Sequence, residues 1–182
     1  VWGAPGRRTT APAVRTALAL VGIDVVEMVP VRTRMWGPLE FTATTGAGER
    51  LRVDVVQRLH RRASAWYRLR RLLASVEVED EPPLSSIRHE TEHEALVTVT
   101  AERAGLRTPS LVTICEARHG APLLVRREIC GRRLPELPVE EVDDPLLDAV
   151  WEQVAVLRRA RIAHHDLRAR NLLVDVDSRP LV

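Results

Sequence analysis

The 182-residue chain contains no lysine, so all 27 of its basic residues are arginine. Asn171 is its only asparagine, Phe41 its only phenylalanine and Tyr67 its only tyrosine. AT-rich codons specify these four residue types, so their scarcity marks a GC-rich coding sequence. In such a background a lone asparagine asks for an explanation. Cysteine is scarce too. Cys115 and Cys130 have no CxxC spacing and no second pair, which gives no sign of a zinc site or a disulfide framework and favours a reducing compartment. No apolar run approaches the roughly 18 residues of a membrane-spanning helix. Charge of one sign is also missing: 27 basic against 25 acidic residues leave a net +2, too little to argue for nucleic acid as a partner.

What is present suits a globular protein. Hydrophobic residues make up 45% and charged residues 29% of the chain, and the length allows one domain with a real core or two small lobes. The start, VWGAPGRRTTAPAV, has no signal-peptide h-region, does not open on Met and reads as a linker over residues 1–10. The expectation is a piece of something longer.

Thr10 is placed to cap a short helix with Pro12 near its first turn, and Val14, Ala17, Leu18 and Val21 share one face before Gly22 ends it. IDVVEMVPV, LEFTATT and RLRVDVV read as strands, the last two joined by the turn TGAGE. In RLRVDVV, Leu51, Val53 and Val55 face one way, Arg52 and Asp54 the other. Residues 57–74 read as an arginine-rich helix and VEVEDEPPLSS as an acidic, proline-broken loop. A second helix spans about 87–104 and stops at Gly105, and SLVTICEA and PLLVRREI are two more strands. GRRLPELPVEEVDD reads as a connector. A helix then starts at Pro145 behind Asp143 or Asp144, burying Leu146, Leu147, Val150, Val154 and Leu157. LLVDVDSRPLV closes the sequence as a tight hairpin.

Three stretches could carry chemistry. The basic helix, with Trp66 and Tyr67, has the residue types that meet phosphate backbones or anionic membranes, but a solvated face offset by the acidic loop explains it as well. HETEH, residues 89–93, matches H-E-x-x-H, which sets His89 and His93 one helical turn apart as zinc ligands. Glu92 and Glu94 put charge between and beside those ligands, and Val99 stands where a metzincin carries its third histidine, so a zinc metallopeptidase is the least favoured reading. HHDLRARN fits H-x-D-L-x-x-x-N at four positions: His164, Asp166, Leu167 and Asn171. In phosphotransferases an Asp there accepts or orients the proton of the attacking hydroxyl, and an Asn five residues later binds a metal ion that bridges the nucleotide phosphates.

The elements before this loop follow the order that such a site needs. A glycine-bearing hairpin (Gly46, Gly48), a third strand, a helix carrying Glu94, two strands leading to a hinge near Glu128 and a long helix precede it. The runs TEHEALVTVTAERAGLRTPSLV, LLVRREICGRRLPEL and IAHHDLRARNLLVD resemble the kinase-like domain of bacterial lysylphosphatidylglycerol synthase-type transmembrane proteins. More distantly the chain is similar to aminoglycoside phosphotransferases and the atypical ubiquinone-biosynthesis kinases. The resemblance covers about residues 12–182 and is strongest from 85 onward.

It implies an α/β (α+β), two-lobe, protein-kinase-like fold: an N-terminal lobe over 11–130 and the start of a C-terminal lobe over 131–182, ending before the metal-binding D-F-G segment. ATP and Mg2+ are the implied cofactors, with Asp166 as base, Asn171 as magnesium ligand and Glu94 as partner of the strand lysine. The acceptor substrate is unassigned. Cytoplasmic placement beside membrane-embedded domains of the same protein is implied as well. Two departures stand out. The strand-lysine position holds Asp54, with Arg52 as a substitute two residues earlier, and the glycines fall short of G-x-G-x-x-G. A pseudokinase acting as a regulatory or interaction module is therefore the alternative. Truncation also leads us to expect Leu172, Leu173, Leu181 and Val182 to lose part of their cover.

Overall fold

The computed structural model describes residues 9–31, 39–56, 87–118, 120–164 and 166–182. The basic helix and acidic loop expected between 57 and 86, and most of the lead-in, lie outside the described residues. The fold is mixed α+β. It has a five-stranded sheet, a three-stranded sheet and three α-helices among the described residues. Two compact units divide the chain: Val1–His93 with Thr113–Val125, and Glu94–Val112 with Arg126–Val182. No helix among the described residues is long and apolar enough to cross a membrane.

In the first unit, helix α1 (Ala11–Leu20) starts behind Thr10, which holds the N-cap position without a side-chain cap bond. Strands β1 (Val25–Val31), β2 (Leu39–Thr45) and β3 (Arg50–Val55) pair antiparallel in sequence order. With β4 (Leu111–Ala117) and β5 (Ala121–Arg127) they form one sheet in the order β1-β2-β3-β5-β4. Pro30 is tolerated because β1 is an edge strand, where a missing N–H costs no ladder bond. The i, i+3, i+4 spacing of Val14, Ala17 and Leu18 presses one stripe of α1 onto Phe41, Leu51, Val53 and Leu123. Leu18, Leu51 and Leu123 are fully buried, worth about 1.5–3 kcal/mol each. Period-two alternation gives β3 its two faces: Leu51, Val53 and Val55 in the core, Arg52 and Asp54 on the other side.

Helix α2 (Ile87–Arg103) begins in the first unit and runs into the second. It ends where Gly105 turns left-handed at φ +90°, letting Leu106 N–H donate to Ala101 O at 3.0 Å. Helix α3 (Asp144–Arg159) is capped by Asp143, whose Oδ1 accepts from Leu146 N–H at 3.0 Å. Its far end closes in the same way as α2, with Ile162 N–H on Leu157 O at 3.0 Å, but the left-handed residue is Arg161 (φ 56°). A side chain in that conformation costs about 1–2 kcal/mol.

The apolar face expected for α3 needs correcting. Leu146, Val150 and Leu157 are buried, whereas Leu147 stays 37% exposed and Trp151 67%. The connector after β5 also holds a strand, β6 (Gly131–Arg133), paired antiparallel with β7 (Leu173–Asp175), which in turn pairs with β8 (Pro180–Leu181). At Gly131 the two backbones come so close that a Cβ would overlap the Val174 carbonyl oxygen and lie 3.1 Å from Asp175 Cα. Only glycine fits. Of the four hairpin residues expected to lose part of their cover, Leu173 is half-buried. Leu172 and Leu181 are buried, and Val182 packs half-buried against Ala101, Leu106 and Leu157.

Candidate functional site

The segment between α3 and β7 is shaped by its own backbone. Asp166 N–H donates to His164 O at 2.8 Å, and a 3-10 turn over Ala169–Asn171 sends Asn171 N–H to Arg168 O at 2.8 Å. This folding brings the two ends of the D-L-x-x-x-N pattern together. Asn171 Nδ2 donates both to Asp166 O at 2.8 Å and to Asp166 Oδ2 at 3.0 Å. Arg168 Nε reaches Asp166 Oδ1 at 2.6 Å and Arg170 Nη2 reaches Oδ2 at 3.3 Å. Arg133 Nη1, from β6, donates to the Arg170 carbonyl at 3.0 Å and ties the turn to the small sheet.

The Asn171 hydrogen bond holds the Asp166 carboxyl below its ordinary range. Desolvation opposes it, and Arg170 and Arg168 reinforce it. Asp166 is thus a carboxylate at neutral pH, an acceptor-only group suited to orienting a hydroxyl. His164 sits half-buried two residues earlier, its Nδ1 buried and without a hydrogen-bond partner among the described residues.

A second constellation escaped the sequence reading. Asp175, at the end of β7, has a side chain only 9% exposed and meets Arg107 Nη2 at 2.8 Å. It also accepts from the backbone N–H groups of Asp177 at 3.0 Å and Arg179 at 2.8 Å, and from Arg179 Nε at 3.2 Å. Desolvation pushes its carboxyl up, but the Arg179 amide and the two guanidinium groups together outweigh that and leave it below its ordinary range. Arg107 in turn donates its N–H to Gln153 Oε1 of α3 at 2.8 Å and accepts from Val182 N–H at 2.9 Å. One arginine therefore ties α3 to the hairpin behind the Asp166 loop. No motif flags it, because its nearest partner in sequence, Gln153, lies 46 residues away.

The remaining expected residues are divided between the units. Glu94 of α2 forms an ion pair with Arg126 of β5. Arg52 pairs with Glu40 across the β2–β3 ladder, and its Nε lies 3.8 Å from Asp54 Oδ1, so one guanidinium serves two carboxylates. Gly46 and Gly48 occupy the turn between β2 and β3, one connection later than a glycine loop between the first two strands. Gly48 is there for its φ of +80°. Glu128 is half-buried in the stretch between β5 and β6. His89 and His93 are exposed on α2, and no group of three His, Cys, Asp or Glu residues able to hold a metal occurs among the described residues. A recess of about 350 Å3 is lined by Gly131, Leu137, Leu146 and Val174, and by Arg132 and Glu141, which form an ion pair. Neither Asp166 nor Asn171 lines it.

No protein-family model matches this chain, and no curated protein matches it.

Proposed function

We propose that the chain is a nucleotide-binding, kinase-like domain of the phosphotransferase class, taking ATP with Mg2+. The observation that carries this is the Asp166–Asn171 pair, held together by two hydrogen bonds from one carboxamide. A positioned carboxylate and a carboxamide oxygen, the kind of hard ligand Mg2+ takes, are the two groups in-line phosphoryl transfer asks of such a loop. The order of elements adds support: three strands, a helix bearing a paired glutamate, two strands, a long helix and then the loop. In this reading Asp166 orients the acceptor hydroxyl, Asn171 holds the metal beside the phosphates and the stretch around Glu128 receives the base. The resemblance further suggests the cytoplasmic side of a membrane protein as the setting. Metal-dependent binding of a fluorescent ATP analogue is the test. Asn171→Ala should remove the Mg2+ dependence while leaving the circular-dichroism spectrum unchanged; an unaltered Mg2+ dependence refutes the assignment.

One observation favours a second reading, a nucleotide-binding module without turnover. The chain has no lysine, and the arginine nearest the strand-lysine position is already engaged by Glu40 and Asp54. A triad of two carboxylates and one guanidinium carries a net negative charge and repels phosphate. Nucleotide binding without phosphoryl transfer or hydrolysis would select this reading over the first.

A further inference from the structure

We infer that Arg126, on β5, is the cation that meets the nucleotide phosphates in this protein, with Glu94 as its orienting partner. The inference rests on the kinase-like reading and goes beyond it, since no residue pattern in the sequence points to β5 for this role.

Glu94, the α2 carboxylate that the kinase-like reading assigns to a phosphate-binding cation, forms an ion pair with Arg126. The guanidinium is the more enclosed member of the pair, 22% exposed against 54% for the carboxylate. A guanidinium is a planar fork of five donors, which suits it to recognise both carboxylate and phosphate oxygens. Strand alternation sends Leu123 and Val125 into the core and puts Arg126 on the opposite face, next along from the buried Leu124. Arg126 also stands two residues before Glu128, about 6–7 Å along an extended chain, at the point where β5 leads into the stretch that would receive the base. Arg52 is the competing candidate, and its two carboxylate neighbours set the local charge against an anion. The missing strand lysine is thus answered from a different strand.

The experiment compares ATP with adenosine, which lacks phosphates, by calorimetry on the protein in Mg2+ buffer. Arg126→Ala should weaken ATP binding by about tenfold or more, a loss of about 1.4 kcal/mol, and leave adenosine within about twofold. Arg126→Gln, which keeps most of the stem, carries the same comparison should the alanine variant unfold. Equal losses for ATP and adenosine would mean that Arg126 only supports the fold, and an unchanged ATP affinity would mean that it is not the phosphate cation. Either result overturns the inference while leaving the kinase-like reading in place, provided Asn171→Ala still removes the Mg2+ dependence. Wild-type protein that binds no ATP at all overturns both.

Discussion

Asp175→Ala is the change whose consequence the structure sets most firmly. It removes the carboxylate that accepts from Arg107, from Arg179 and from two backbone amides, and leaves the Arg107 guanidinium two-thirds buried without its anionic partner. Breaking a fully buried pair costs about 3–5 kcal/mol. Arg107 keeps 32% of its side chain in contact with water, which recovers part of that, so we expect about 2–3 kcal/mol here. For a chain of this size that is a fall in Tm of roughly 4–12 °C, read by circular dichroism at pH 7. Arg107→Ala and the double variant complete a cycle, with a coupling of about 1 kcal/mol expected between the two sites. The pH dependence gives an independent check. The carboxyl is depressed in the folded state, so its contribution is complete above its unfolded value of about 3.9 and disappears as pH falls through the folded value. The gap between wild type and Asp175→Ala should therefore narrow from pH 4 downward. A destabilisation under about 0.5 kcal/mol at pH 7 with no coupling would refute the keystone role of this pair, as would a gap that persists unchanged to pH 2.

Gly131→Ala should destabilise by about 1–3 kcal/mol or more, measured by denaturant unfolding, because the added methyl falls on the Val174 backbone. Asp143→Ala removes the side-chain cap of α3 and should cost about 0.5–2 kcal/mol in the same assay. Asn171→Ala should raise the Asp166 pKa toward its ordinary value, seen by carboxyl NMR titration, since the Asn171 hydrogen bond is the largest influence holding it down. His93→Ala should leave both the melting temperature and the metal content of purified protein unchanged; stoichiometric zinc lost in that variant would restore the metallopeptidase reading.

Much of the local architecture was legible in the residues because its causes are local. Period two in RLRVDVV fixes which side chains face the core, and Asp143 ahead of Pro145 fixes where α3 begins. The i, i+3, i+4 spacing of Val14, Ala17 and Leu18 fixes the buried stripe of α1, although Val21, expected on the same face, falls at the C-cap and is 44% exposed. The five-residue register of Asp166 and Asn171 is local as well, so a single tight turn suffices to join them. Three things were decided only by the tertiary structure. GRR became a strand because β7 offers it a ladder and Gly131 lets the backbones meet, not through any propensity of its own. Arg107 and Asp175 became a keystone because two segments 68 residues apart are folded onto each other, where burial makes each charge depend on the other. Glu94 took its cation from β5, because a long side chain pairs with the opposite charge that packing brings within reach, and sequence distance has no part in that choice.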